Sequence, residues 1–457
     1  MLNAGDTAWV LISAALVMLM TPGLAFFYGG MVRSKSVLNM LMMNFIALAV
    51  ISVLWAVYGF SLSFGDDAFG GLLGNTDFAG LTSAVGKLAG FATTDTPWPG
   101  PDGLPVLAFV MFQLMFAVIT PALISGAIAD RTKFWSWVVF LVLWGSVVYF
   151  PVAHWVFSFD GFIGSGSTGG WIANDLKALD FAGGTAVHIN AGAAALALVF
   201  ILGKRRGWPK DTPRPHNVPF VLLGASLLWF GWYGFNAGSA LTAGDLAAVA
   251  FTNTTIATAA AVLGWLITEQ LKFGKPTTLG AASGAVAGLV AITPACGYVD
   301  MWGALVIGVV AGAVCALAVS LKFRFGFDDS LDVVGIHLVG GIIGTVLIGF
   351  FSTNSVNAAS VGENGLFYGG GVTQLGRQAV AAGAVLAYSF VLTAIIGLLI
   401  KYTIGFRISE EAEAAGIDEA EHKETGYDFG GFGGGSAQDG VKPVGVTSAE
   451  ALERSKA

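Results

Sequence analysis

The sequence has little charge and almost no cysteine. Charged residues make up 11% of its 457 residues, less than half of the roughly 25% typical of soluble domains. A water-soluble chain of this size could not cover its surface with so few ionic groups, so the composition excludes a soluble globular protein. The two cysteines, Cys296 and Cys315, provide neither a disulfide framework nor a metal-ligand cluster. The net charge of −7, placed largely in the C-terminal tail and the exterior loops, implies no nucleic-acid partner.

Hydrophobic residues, in contrast, make up 55% of the chain, and the mean hydropathy is +0.75. A helix that spans the bilayer needs about 20 largely apolar residues. The apolar runs therefore predict an all-α integral membrane protein with about eleven transmembrane helices. The predicted spans are 7–31, 40–64, 104–129, 134–156, 181–203, 217–241, 249–271, 277–294, 301–321, 331–351 and 379–403.

The distribution of lysine and arginine predicts the orientation of the chain in the membrane. With the N-terminus outside, fifteen of the 22 basic residues fall in cytoplasmic connections, three in exterior connections and four in the tail. The exterior three are Lys87, Lys177 and Arg377. Because the number of helices is odd, we expect the C-terminus in the cytoplasm. We expect this multi-pass protein in the inner (cytoplasmic) membrane of the cell.

Two histidines lie within predicted spans, where ionisable residues are costly and are candidates for function. An aspartate stands eight residues before each of them: Asp180 before His188, and Asp329 before His337. Each aspartate sits where a helix should begin, so an N-cap is the alternative role, and for Asp329 it could be the whole role. Eight residues correspond to about 12 Å of helix, which puts both histidines near the middle of the bilayer.

The two histidine segments lie five helices apart in opposite orientations, which suggests an inverted repeat of helices 1–5 and 6–10. Such repeats place the substrate path at the midplane between the halves. A single histidine on an apolar helix is usually a satisfied core residue, whereas two at equivalent positions favour a pathway role. We expect the remaining histidines to be structural or solvated: His154, His216 and His422.

Aromatic residues recur in predicted helices 3 and 6, as Phe112 with Phe116 and as Trp232 with Phe235, followed by Ser239. Such a stripe more often faces lipid or the core than a ligand. Here the surrounding glycines and asparagine suit a protein interior. An aromatic face attracts a small cation by about 0.5–2 kcal/mol, and a hydroxyl adds a hydrogen bond.

Several segments together resemble one family, and they occur in its order: AHWV, DFAGGTAVHINAG, GWYGFNAGSA, TPACGYV and DDSLDVVGIH. From about residue 7 to Tyr427 the chain is similar to the ammonium transporter (Amt/Mep/Rh) family, and to its bacterial Amt branch. The resemblance implies a homotrimer with a separate pore through each eleven-helix protomer, and it implies neither cofactor nor enzymatic activity.

The resemblance also implies roles for single residues. Asp180 matches the acidic residue that organises an outer ammonium recruitment site, and Phe116 and Ser239 match groups that hold ammonium there. Phe116 and Phe235 resemble a stacked phenylalanine gate, below which His188 and His337 match twin histidines that line the pore. Two further residues belong to the expected recruitment site, Phe157 and Trp232, and Phe112 is expected to be structural.

One departure from the family pattern concerns the wall of the recruitment site. Many members carry a tryptophan three residues after the histidine of helix 4, where this chain has Phe157. Phenylalanine keeps a cation–π face, but a weaker one than tryptophan. Trp155 is a neighbouring alternative for this wall.

The expected mechanism is capture of ammonium outside, deprotonation near the gate, and passage of ammonia through an apolar pore. Bringing a bare ion into hydrocarbon costs tens of kcal/mol, so loss of the charge is favoured. Electrogenic and neutral transport both remain open. The alternatives are an ammonium sensor with little conduction and a Rhesus-type neutral gas channel.

After the last span the chain becomes acidic and then glycine-rich. We predict a transmembrane channel domain at 1–404, a cytoplasmic regulatory tail at 405–430 and a disordered extension at 431–457. Residues 405–429, GFRISEEAEAAGIDEAEHKETGYDF, resemble the regulatory segment of the family, which implies a PII-type signalling protein as partner. A simple solvated acidic tail is the alternative.

Overall fold

The computed structural model of this chain describes residues 2–90 and 103–427, and it is mostly helical. The long apolar helices are α1 Ala4–Met31, α2 Val37–Phe64, α3 Val106–Ile128, α4 Phe134–Phe157, α5 Gly184–Leu202, α6 Val218–Gly238, α7 Asp245–Phe273, α8 Thr278–Ile292, α9 Met301–Phe325, α10 Val334–Phe351 and α11 Thr373–Thr403. Two short helices follow them, α12 Glu410–Ala415 and α13 Ile417–His422. Two-residue strands, β1 Leu88–Ala89 and β2 Leu104–Pro105, pair antiparallel in the loop before α3.

Among the residues described, ten helices are long and apolar enough to cross a membrane, and α8 is a shorter apolar helix. Every predicted span overlaps one of α1–α11. The prediction of an all-α, multi-pass membrane protein is therefore confirmed. Whether α8 crosses the bilayer, and hence the number of eleven spans with its inverted repeat and orientation, stays a prediction.

Short polar residues fix where several of these helices begin. The Asn3 side chain accepts a hydrogen bond from Asp6 N at 3.0 Å before α1, and Thr277 accepts one from Gly280 N at 2.8 Å before α8. Asp300 does the same for Gly303 N at 2.9 Å before α9. Each side chain satisfies an amide that has no partner in the first helical turn, so the start of the helix is encoded locally.

Glycines bring α7 close to α8 and α9. A Cβ on Gly308 or Gly312 of α9 would overlap the carbonyl oxygens of Ala257 and Ala261 on α7. A Cβ on Gly284 of α8 would lie 2.8 Å from the Trp265 Cβ on α7. The four-residue spacing of these glycines therefore serves close packing of the helix backbones.

The helices that contain His188 and His337 both begin with a π-helical turn. Residues Gly184–Ile189 form the π turn of α5 that contains His188, and Val334–Leu338 form the π turn of α10 that contains His337. A π turn widens the helix and redirects its side chains, and such turns occur often at functional sites. Both helices change their winding at the residue that the sequence marks out.

The segment after α11 packs against the helix ends at the side of the molecule where α3 ends and α4 begins, here called the tail end. The Asp418 carboxylate accepts hydrogen bonds from Leu38 N at 3.0 Å and Asn39 N at 2.8 Å. Glu421 accepts one from Phe134 N at 2.9 Å. The docked residues 405–427 thus cap α2 and α4, whereas the predicted extension 431–457 lies outside the described residues.

Candidate functional site

A cavity of about 670 Å³ opens at the opposite side of the molecule, the vestibule end, where α3 and α5 begin and α4 and α6 end. Its wall combines aromatic rings with polar groups, and it contains four of the residues singled out in the sequence: Phe116, Phe157, Asp180 and Ser239. The tertiary structure thus brings residues from four separate segments to one concave surface, as expected of a small-ligand site.

Two stacked phenylalanines form the floor of this vestibule. The ring centroids of Phe116 and Phe235 lie 4.2 Å apart with an interplanar angle of 31°. Phe116 lines the cavity, whereas Phe235 is fully buried beneath it. Phe112 packs against Phe116 with 4.9 Å between the ring centroids, and it is buried too.

The two histidines lie directly below the stack. The His188 ring is 6.2 Å from Phe235 and 5.5 Å from Trp232, and it is nearly parallel to both. Trp232 is buried below the vestibule, where its Nε1 donates to the Thr293 hydroxyl at 2.8 Å. Trp232 therefore packs against His188. It does not line the cavity, although the sequence analysis expected it in the recruitment site.

The His188 and His337 side chains are in contact. Their Nδ1 atoms are 3.3 Å apart, and their ring centroids are 5.4 Å apart at 21°. When both rings are neutral, one Nδ1 carries the hydrogen and the other accepts it, so the pair shares a single proton. Within the described part of the chain the His188 Nε2 has no hydrogen-bond partner. One ring nitrogen of His188 therefore remains available to a further hydrogen-bond partner.

The Asp180 carboxylate caps α5. It accepts hydrogen bonds from Gly183 N at 2.7 Å, Gly184 N at 2.7 Å and Thr185 N at 2.8 Å, and also from the Thr185 hydroxyl. This carboxylate sets the position at which the π turn starts, eight residues before His188. It also contributes to the vestibule surface.

Asp329 plays the same capping role for α10, at the tail end. Its carboxylate accepts from Val333 N at 3.1 Å and Val334 N at 2.7 Å. Burial raises the pKa of this carboxyl to about 6, although the nearby Lys322 favours its charged form. Asp329 does not line the vestibule, so its N-cap is the role that the structure describes.

The wall residues take up distinct positions. Phe157 lies edge-to-face with Phe116 at 6.3 Å and lines the cavity. Trp155, the alternative, lies elsewhere: its Nε1 donates to Leu72 O at 2.9 Å and its ring packs on Tyr388 at 4.5 Å. The Ser239 hydroxyl donates to Phe235 O at 2.7 Å, which leaves its oxygen free to accept a hydrogen bond.

The remaining histidines lie outside this column. His154 is buried, with its Nδ1 3.0 Å from Ser63 O and its Nε2 3.3 Å from Asp67. His216 Nδ1 is 2.8 Å from Val32 O. His422 Nε2 is 3.0 Å from the Asn39 side chain. Their contacts fasten loops and the tail, as the sequence analysis expected of structural residues.

Gln113 is a vestibule residue that the sequence analysis missed. It stands one turn before Phe116 on α3 and lines the same cavity. Its Oε1 atom has no hydrogen-bond partner among residues 2–90 and 103–427. The signal was present, because Gln113 is the single carboxamide in α3, where the other polar side chains are the hydroxyls of Thr120 and Ser125. A buried carboxamide with free hydrogen-bonding capacity is costly unless a solute or water binds it.

Comparisons with known proteins agree on one family. The sequence profile of the Ammonium Transporter Family matches residues 8–427. An ammonium transporter of Mycobacterium bovis is 62% identical, over 93% of this chain and 91% of the relative. The crystal structure of Candida albicans Mep2 superposes with a TM-score of 0.81 at 32% identity, covering 93% of both chains. A structure titled Sensor Amt Protein superposes with a TM-score of 0.80 at 28% identity, covering 92% of this chain and 98% of the other.

Proposed function

The chain belongs to the ammonium transporter family, and from this premise we propose that it carries ammonium across the cell membrane through the vestibule, the phenylalanine stack and the histidine pair. The observation that carries the proposal is the continuous column in which Phe116 stacks on Phe235 and His188 lies below them in contact with His337. A family of transporters also supports a role other than catalysis.

Capture of ammonium at the vestibule end is the first proposed step. The face of Phe116 and the edge-on Phe157 offer aromatic surface to a cation, and the Ser239 oxygen offers a hydrogen-bond acceptor. The Asp180 carboxylate is occupied by its cap but adds negative charge to the cavity wall. Gln113 adds a further carboxamide. This arrangement suits a small cation with several N–H donors.

Loss of a proton at the stack is the second proposed step. Beneath Phe116 the path is closed by Phe235 and enters a buried region in which a bare ion would cost tens of kcal/mol. Ammonia carries no charge, so it avoids this cost. The pair of His188 and His337 offers it either a donor or an acceptor, because the shared proton can sit on either ring.

Sensing is the second candidate function, and it is favoured by one observation, the superposition on a structure titled Sensor Amt Protein. A sensor would bind ammonium in the same vestibule and conduct little. A Rhesus-type neutral gas channel would conduct without transferring charge. The three functions therefore differ in current and in flux.

The assembly and its regulation complete the proposal. We propose that residues 1–404 form the transport domain of a homotrimer, with the vestibule end outside, and that residues 405–430 regulate it from the cytoplasm together with a PII-type protein. Support comes from the tail carboxylates, since Asp418 and Glu421 cap two transmembrane helices and could transmit a change at the tail to the bundle.

The experiment that tests the function is a current measurement on a solid-supported membrane carrying reconstituted protein. Pulses of ammonium are compared with pulses of potassium, while a pH-sensitive dye inside parallel liposomes follows ammonia entry. A saturable current specific to ammonium supports electrogenic transport. Ammonia entry without current indicates the neutral channel, and neither signal, in protein that still binds ammonium, indicates the sensor.

A further inference from the structure

A buried glutamine on α11 binds the backbone directly before Asp180. The Gln378 Oε1 accepts a hydrogen bond from Leu179 N at 2.7 Å, and its Nε2 donates to Leu179 O at 2.7 Å. One carboxamide thus satisfies both polar backbone groups of a single residue. Gln378 is fully buried, so water does not compete for these bonds.

The orientation of this carboxamide is itself fixed by its neighbours. The Gln378 Nε2 also donates to Thr345 O on α10 at 3.1 Å, and the Gln374 Nε2 donates to the Gln378 Oε1 at 2.9 Å. The Gln374 Oε1 in turn accepts from Arg377 at 3.3 Å. Both atoms of the Gln378 amide therefore make two hydrogen bonds each, and the group joins α11, α10 and the segment before α5.

The segment held in this way has no regular secondary structure between residue 177 and the start of α5. Buried backbone without regular secondary structure is costly unless other protein groups satisfy its N–H and C=O groups. Leu179 is held by Gln378 on one side of Asp180, and Phe181 N donates to Pro294 O at 3.0 Å on the other. The position of the Asp180 carboxylate, and hence of the vestibule wall it contributes to, depends on these two anchors.

We propose that Gln378 is a positioning residue of the ammonium-binding vestibule: it does not contact the ion, but its double hydrogen bond to Leu179 places Asp180 and the first turn of α5. This inference rests on the proposed function. Its consequence is that loss of the clamp weakens ammonium binding more than it slows the passage of bound ions.

The first test replaces Gln378 by methionine, which keeps the length and volume of the side chain but forms none of the four hydrogen bonds. The matched control is Thr393→Val on the same helix, which removes a buried hydrogen bond from Trp144 Nε1 at 2.9 Å, far from the vestibule. Ammonium-dependent current is measured over a range of concentrations and normalised to folded protein. We expect the KM of Gln378→Met to rise on the order of tenfold with its maximal current within about twofold, and the KM of Thr393→Val to stay that of the wild type.

The second test uses Gln378→Glu. A protonated carboxyl accepts from Leu179 N and donates to Leu179 O, whereas an ionised one faces the oxygens of Leu179 and Thr345 without a donor. The neighbouring charged residues, Lys177, Asp180 and Arg377, are the same in all variants. We therefore expect the ratio of the KM of Gln378→Glu to that of the wild type to increase as the pH rises, and the same ratio for Gln378→Met to stay constant.

The outcomes separate the two proposals. If the wild type gives neither ammonium current nor ammonia entry, the proposed function fails. If the wild type transports but Gln378→Met lowers maximal current and leaves KM unchanged, as a merely structural residue would, the positioning role is overturned. A KM ratio for Gln378→Glu that does not depend on pH also counts against it. Should Gln378→Met fail to fold, the pH dependence of Gln378→Glu still decides.

Discussion

The beginnings of α5 and α10 carry the same local device in two different surroundings. Each has an aspartate that caps a π turn and a histidine eight residues later. Asp180 receives four hydrogen bonds and borders an open cavity, whereas Asp329 receives two from backbone amides and lies among charged groups at the tail end. The same sequence pattern thus lies beside an open cavity at the start of α5 and among charged residues at the start of α10.

The charged groups around Asp329 show why that end differs. Arg205 pairs with Asp328 at 2.9 Å and with Asp130 at 3.1 Å, and Lys322 pairs with Asp332 at 2.6 Å. Arg205 is mostly buried and holds the pKa of the Asp328 carboxyl below its usual value despite desolvation. Removing one partner of such a buried ion pair leaves the charge of the other partner uncompensated. The tail end is therefore held by buried ion pairs, whereas the vestibule end contains an open cavity.

The largest expected effect separates the two histidines. His188→Leu removes the ring that contacts Trp232, Phe235 and His337 together with the unpartnered Nε2, so we expect ammonium current to fall on the order of 100-fold. His337→Leu leaves the ring next to the gate in place and should cost less. Currents normalised to folded protein measure both. Equal losses in the two variants would contradict the assignment of His188 as the first ring reached.

The next effect separates the two caps. Asp180→Ala leaves three backbone amides and the Thr185 hydroxyl without their acceptor. We therefore expect the free energy of unfolding to fall by on the order of 2 kcal/mol and the ammonium current to fall about tenfold. Asp329→Ala removes two such bonds and also a buried carboxylate, and should cost less in both respects. Thermal unfolding in detergent and current in liposomes measure the pair. A larger loss for Asp329→Ala would reverse the comparison.

A pH series sharpens the same comparison through stability alone. Because the pKa of Asp329 is raised to about 6 in the fold, the folded state keeps this proton over a range where the unfolded chain has lost it. Stability from this group is therefore fully present at low pH and declines as the pH rises through the raised pKa, from about 4 to 6. Asp329→Asn should show a flatter decline of unfolding temperature over this interval. An unchanged slope would mean that the carboxyl titrates normally.

The smallest expected effect concerns the vestibule wall. Phe157→Trp enlarges the aromatic face beside Phe116, and the gain in cation–π attraction should lower the KM for ammonium about twofold to fivefold. Trp155→Phe is the control, because Trp155 packs on Tyr388 away from the cavity. Concentration dependence of the current measures both. A higher KM in Trp155→Phe, with an unchanged KM in Phe157→Trp, would place the recruitment wall at Trp155 instead.

Much of the candidate site could be predicted from sequence because its signals are local. The rarity of ionisable residues in apolar spans marked His188 and His337, and their spacing from Asp180 and Asp329 marked two helix starts. Other features had no local signal. The pair of hydrogen bonds between Gln378 and Leu179 joins residues 199 positions apart, and the hydrogen bond from Trp232 to Thr293 joins residues 61 positions apart.

The sequence by itself determined that the chain is an α-helical, multi-pass membrane protein of the ammonium transporter family, because hydropathy and motif order are properties of contiguous segments. Only the tertiary structure decided that the two histidines touch, that Phe157 and not Trp155 lines the vestibule, and that residues 405–427 cap transmembrane helices. The physical reason is that helices in lipid gain no hydrophobic energy from one particular pairing. Their arrangement follows from close packing and from hydrogen bonds between distant residues, which appear only when the segments have come together.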